Sequence, residues 1–149
     1  EIVAAALQDR DRAVVIGTSS FGKGSVQTVL RLPNDGEITL TWSRFMAPSG
    51  YALHGLGVRP AVCTSQVNKG LKPTINKALA DRSRIRATFS SWRLSGIQNE
   101  LRRKALRSTC PPERRKAYTD IRIAKYLTVN RAIYSQALDI SATTAQAHK

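Results

Sequence analysis

Cysteine, histidine and acidic side chains are all scarce in this chain. Its 149 residues hold two cysteines, two histidines and ten acids, against 24 lysines and arginines. Cys63 and Cys110 fit no metal-ligand spacing, and with so few histidines no zinc site is expected. We expect two unpaired, partly buried thiols, with pairing in an oxidising compartment as the alternative. No apolar run approaches the roughly 18 residues that a membrane span needs. The apolar content of 42% nevertheless argues against disorder, and the length allows one domain with its own core. The chain opens on Glu1 rather than Met, with no basic-then-apolar leader, and runs directly into helix-like sequence. We therefore expect a fragment, and a missing leader then says nothing about where the parent protein resides.

The first third alternates element types. "EIVAAALQ" is rich in helix formers and predicts a buried helix ending near Asp9. "AVVIG" is a short β-branched run stopped by glycine, a buried strand. "SVQTVLRL" and "ITLTWSRFM" flank "PNDGE", where Asp35-Gly36 tolerates positive φ, so the three make a β-hairpin. Trp42 and Phe45 on that hairpin are expected in the core. "PSGYALHGLGVRP" reads as an ordered loop. After "NKGLKP" the apolar spacing turns helical: Ile75, Leu79, Ile85 and Phe89, then Ile97, Leu101 and Ala105. Pro112-Glu113 suits a helix start, followed by Tyr118, Ile121 and Ala124, and by Val129, Ile133 and Ala137. Trp92 closes the apolar face of one of these helices, and "SATTAQAHK" frays.

The stretch "GTSSFGKGSVQT" carries the chemistry. Gly17 to Lys23 fits G-x-x-x-x-G-K, yet Gly24 stands where a phosphate-binding loop needs its magnesium-ligating Ser or Thr. The residues that follow prefer a strand, which has almost no axial dipole to offer an anion. Both departures argue against a nucleotide. On a strand, side chains repeat every two residues, so Lys23, Ser25 and Gln27 point to one side. Gln27 can accept from a lysine without adding charge, whereas a carboxylate would hold the lysine protonated. Burial lowers a lysine's pKa by up to about 3–5 units, enough to leave a free amine that deprotonates a serine hydroxyl.

"EIVAAALQDRDRAVVIGTSSFGKGSVQT", continued by "LTWSRFMAPSGYALHGLGVRP", resembles the tail-specific, or carboxy-terminal processing, family of serine peptidases. The resemblance covers about residues 1–62, with Ala61 where the family commonly has aspartate. It implies an α/β fold, with a partial tail-specific protease core of helix, strand and β-hairpin over residues 1–62; residues 67–149, which match no motif of that family, read from their apolar spacing as an α-helical basic extension. It further implies cleavage of peptide bonds near protein C-termini by a Ser–Lys dyad, with Lys23 as general base and Gln27 as its positioning partner. The family's nucleophile sits in an Ala-Ser-Ala-Ser run directly before the Glu-Ile that begins this chain. By that alignment the serine lies upstream of Glu1, and the chain by itself is inactive. Protein or peptide substrates, no metal or organic cofactor, and a periplasmic or membrane-associated parent are the remaining implications.

Ser25 is expected to be structural, Ser19 and Ser20 polar loop residues, and His54 a loop or substrate-side polar group with no carboxylate nearby to orient it. His148 falls in the frayed end. The basic character is confined to the second part: residues 1–66 balance at +1 and residues 67–149 at +13. "LRRKALR" and "PPERRKAY" are expected to form solvated helical faces. Association with an anionic membrane surface is a further option. The alternative function is a basic helical module that binds nucleic acid or an acidic partner. No nucleic-acid motif or aromatic platform accompanies the arginines, which argues against nucleic acid.

Overall fold

Alanine-rich α1 (Ile2–Asp9) buries Ala5, Gln8 and Asp9, and ends just before Asp11 turns to φ 53°. The computed structural model describes residues 1–65, 70–113 and 117–142. β1 (Ile16–Gly17) is shorter than the "AVVIG" run predicts, and it pairs in parallel with β4 (Val62–Cys63). Val14 and Val15 extend the run and contribute apolar surface to the two cores. β2 (Ser25–Arg31) and β3 (Glu37–Arg44) form the expected antiparallel hairpin. Its turn is closed by the Leu32 amide donating to the Gly36 carbonyl at 2.8 Å, with Asp35 at φ 61°. Among the described residues five helices follow: α2 (Leu71–Ala80), α3 (Arg82–Arg93), α4 (Glu100–Ser108), α5 (Ala117–Val129) and α6 (Arg131–Ser141). The fold is thus mixed α/β. Among the described residues no helix is long and apolar enough to cross a membrane.

Two apolar clusters hold these elements together. In the first, Ala61 and Val62 meet Ile75, Phe89, Ile123, Leu127 and Ile140. In the second, Ala5, Tyr51, Leu53, Leu56 and Val58 meet Trp92. Full burial of each such Leu, Ile or Phe contributes about 1.5–3 kcal/mol. Both clusters join the first 62 residues to the helices after them. Trp92, 1% exposed, lies on the buried face of α3 with Phe89, as expected, and meets the loop of the first region there.

Several expected burial patterns are corrected. Trp42 is 69% exposed and Phe45 37%, because a two-stranded hairpin buries an apolar side chain only where another element covers its face. Both strands lie exposed along most of their length. On α4, Leu101 and Ala105 face outward and Ile97 before it is exposed, while Arg103 is buried instead. On α5, Tyr118 and Ile121 are exposed, and the buried face is Ile123 and Leu127. On α6, Ala137 is buried and Ile133 partly so, while Val129 at the end of α5 is 79% exposed. Pro112 and Glu113 lie outside any helix, and residues 114–116, part of "PPERRKAY", lie outside the described residues. Residues 66–69, between the two expected regions, and 143–149, with His148, lie outside the described residues.

The cysteines overturn the expectation of free thiols. Cys63 and Cys110 form a disulfide with a Cα–Cα distance of 5.9 Å, tying β4 to the end of α4. Spacing along the chain could not foresee this, because the partner arrives through the fold across 47 residues.

Candidate active site

Lys23 stands on a turn whose two flanking glycines leave no room for side chains. Gly22 adopts φ 86°, and a Cβ there would sit 3.0 Å from the Gly57 nitrogen. At Gly24 a Cβ would meet the His54 nitrogen at 2.5 Å and Leu53 Cβ at 2.7 Å. The missing side chains let the backbone lie against the 53–57 loop. There the Gly55 amide donates to the Gly22 carbonyl at 2.8 Å, and the Phe45 amide donates to the Gly24 carbonyl at 2.9 Å. The lysine backbone is thus held on both sides while its side chain stays exposed.

The start of α1 is tied to the same turn. The Glu1 carboxylate accepts from the Gly22 amide at 2.5 Å and from the Ser20 hydroxyl. Ser20 Oγ in turn accepts from the Val58 amide at 2.8 Å. Burial works to raise the Glu1 pKa, but the Ser20 hydroxyl and the Gly22 and Lys23 amides outweigh it and hold the carboxyl below its ordinary value. Glu1, Ile2, Val3, Lys23, Gly24, Phe45 and Leu53 line a cleft of about 290 Å³. Glu1 and Lys23 share this cleft without an ion pair among the described residues, since the carboxylate is turned onto backbone amides. Neither Glu1 nor Ser20 carries a sequence motif of its own. Their pairing arises only when the turn folds back onto the helix start.

Gln27 sits on β2 beyond a bulge that falls between Val26 and Gln27. Its Nε2 donates to Thr41 Oγ1 at 3.0 Å. No hydrogen bond among the described residues joins it to Lys23. Ser25 opens β2 opposite Arg44. His54 contributes its carbonyl to Arg103, and its Nδ1 is buried without a partner.

The loop beneath Lys23 is clamped from the other side by α4. Arg103 donates to the carbonyls of Ala52 at 3.0 Å, Ser95 at 3.2 Å and His54. Arg107 donates to those of Ser20 at 2.9 Å and Leu56 at 2.5 Å. Burial pushes both guanidinium pKa values down. These two members of "LRRKALR" are therefore structural cations, not part of a solvated face. Their spacing of four residues was visible in the sequence, but which side of the helix turned inward was not.

The family model described as peptidase family S41 matches residues 1–64. Residues 1–64 are thus similar to peptidase family S41. A carboxy-terminal-processing protease of Bartonella bacilliformis is 50% identical over 66 residues, covering 44% of this chain and 15% of that protein. A carboxyl-terminal-processing protease of Synechocystis is 38% identical over 60 residues, covering 40% and 14%. A chloroplastic C-terminal processing peptidase of Tetradesmus obliquus is 35% identical over 74 residues, covering 50% and 15%. The chain thus spans about 15% of the length of the curated relatives it matches. The S41 stretch takes in the Gly-Lys-Gly turn, the hairpin and the 53–57 loop. The α4 arginines that brace that loop lie outside it.

Proposed function

We propose that this chain is part of a serine peptidase of the carboxy-terminal processing class, which hydrolyses peptide bonds near protein C-termini with a Ser–Lys dyad. Residues 1–62 form the C-terminal part of its catalytic core and residues 67–149 a helical basic extension that braces it. The nucleophilic serine is supplied from upstream of Glu1. As its Oγ attacks the scissile carbonyl carbon, Lys23 Nζ takes the hydroxyl proton and then passes it to the leaving amine. Water hydrolyses the acyl-enzyme, with the amine as base again. Gln27 spends its Nε2 on Thr41, which leaves Oε1 to accept from the Lys23 ammonium. The segment that brings the serine, together with bound peptide, covers the exposed amine.

The observation that carries this reading is the double anchoring of Lys23. Both glycines of its turn are stitched to the 45–57 region, and Glu1 holds the turn against the start of α1. A residue just before Glu1 therefore arrives at the cleft that Lys23 lines. The Cys63–Cys110 disulfide supports an oxidising, extracytoplasmic location, periplasmic or membrane-associated. In the complete protein, Lys23→Ala should lower peptide cleavage by about 10²–10⁴-fold with the melting temperature unchanged. Wild-type cleavage by that variant would assign the base elsewhere.

A further inference from the structure

A second cleft, of about 770 Å³, opens between α4 and the loop at His54 and Gly55. Its lining is strongly cationic, with Arg44, Arg103, Lys104 and Arg107 against the acid Glu100, and His54 beside them. Arg103 and Arg107 donate to backbone carbonyls, which fixes their guanidinium groups in place at the back of the cleft. Arg44 and Lys104 are exposed, and among the described residues neither has an ion-pair partner. The His54 Nδ1 is buried with no hydrogen bond. Ile97, Pro111 and Pro112 add an apolar wall.

We propose that this cleft binds an acidic peptide segment. Arg44 and Lys104 pair with its carboxylates, and its apolar flank rests on Ile97 and the two prolines. The size suits a short segment, since sites for small ligands run to about 300–1,000 Å³. Nucleic acid fits less well. No Phe, Tyr or Trp lines the cleft to stack a base, and the cations converge on a pocket rather than following a phosphate backbone. The cleft also adjoins the proposed base. Gly55, in its lining, donates to the Gly22 carbonyl, and Arg44 and His54 are chain neighbours of Phe45 and Leu53 in the Lys23 cleft. An acidic stretch held there would sit one loop away from Lys23 and select substrates that carry it. That consequence rests on the peptidase reading, whereas the binding itself does not.

The test uses this chain with a fluorescein-labelled oligoglutamate peptide carrying flanking leucines, read by fluorescence anisotropy at about 0.1 M salt, where long-range attraction is largely screened. Binding should be saturable and absent for the oligoglutamine counterpart. The double variant Arg44→Gln/Lys104→Gln should weaken it about tenfold or more. The control Lys72→Gln/Arg82→Gln removes the same charge from exposed positions outside the cleft and should retain wild-type affinity. Circular dichroism confirms that both variants keep the helical fold. No binding, equal losses in the two double variants, or tighter cleft-dependent binding of a duplex DNA probe would each overturn the proposal. A Lys23→Ala chain should bind the peptide normally, so failure of the peptidase reading leaves this result readable by itself.

Discussion

At Gly24 the absence of a side chain is a geometric requirement. A Cβ there must displace the backbone of His54 or the body of Leu53, neither of which is a flexible chain end. Gly24→Ala should therefore destabilise the protein by about 1–3 kcal/mol, as overpacking does, and also move Lys23. Thermal unfolding measures the first effect, and the backbone amide shift of Lys23 reports the second. Glu1 offers a titration at the same scale. Burial acts to raise its pKa, but hydrogen bonds from Ser20 and from the Gly22 and Lys23 amides bring it below the ordinary glutamate value. A carboxyl depressed in the folded state stabilises above the ordinary carboxylate range and loses that contribution as pH falls through the folded value. Carboxyl-carbon NMR should show Glu1 titrating below the ordinary glutamate value, and Ser20→Ala should raise it. An unchanged Glu1 titration in that variant would separate the two groups.

Among the elements, α3 and α4 bear most directly on the site, and both act through arginines. Arg93 at the end of α3 pairs with Asp9 at the end of α1, at 3.2 Å, with side chains 11% and 4% exposed. Asp9 also accepts from the Ser49 amide at 3.0 Å and hydroxyl at 2.6 Å, and Arg93 donates to the Ser141 carbonyl at 2.6 Å. One ion pair thus gathers α1, the loop after β3, α3 and the end of α6. Removing one partner of such a pair leaves a buried charge uncompensated, so Arg93→Met should cost about 3–5 kcal/mol. A melting temperature close to wild type would place the anchorage elsewhere. For α4, Arg103→Lys keeps the charge but replaces a planar fork serving three carbonyls with a single ammonium. It should speed amide exchange in residues 52–57 while leaving α5 and α6 protected.

For the molecule as a whole, the disulfide closes a loop across 47 residues, and the chain-entropy relation assigns such a closure about 4 kcal/mol. Cys63→Ser/Cys110→Ser, or added reductant, should lower the unfolding midpoint accordingly. An unaltered midpoint in reductant would remove the bridge as a stabilising link. The +14 net charge acts at this scale too. It raises the on-rate of acidic partners and does so less as salt is added.

Local chemistry determined what can be read along the chain by itself. The Ala-rich helix, the Asp35 turn, the two β-branched strands and the Gly-Lys-Gly turn each depend on neighbours within a few residues, so sequence fixes them. The same holds for the short motif that carries the resemblance to peptidase family S41. Burial was decided elsewhere. Whether Trp42 lies in a core, which face of α4 turns inward, whether Cys63 finds Cys110, and what the Glu1 carboxylate accepts all depend on groups tens of residues away. Helical spacing gives a face but not a direction. Arg103 took the inward place on α4 because the loop it meets presents carbonyls rather than methyl groups, and only the assembled tertiary structure puts those carbonyls there.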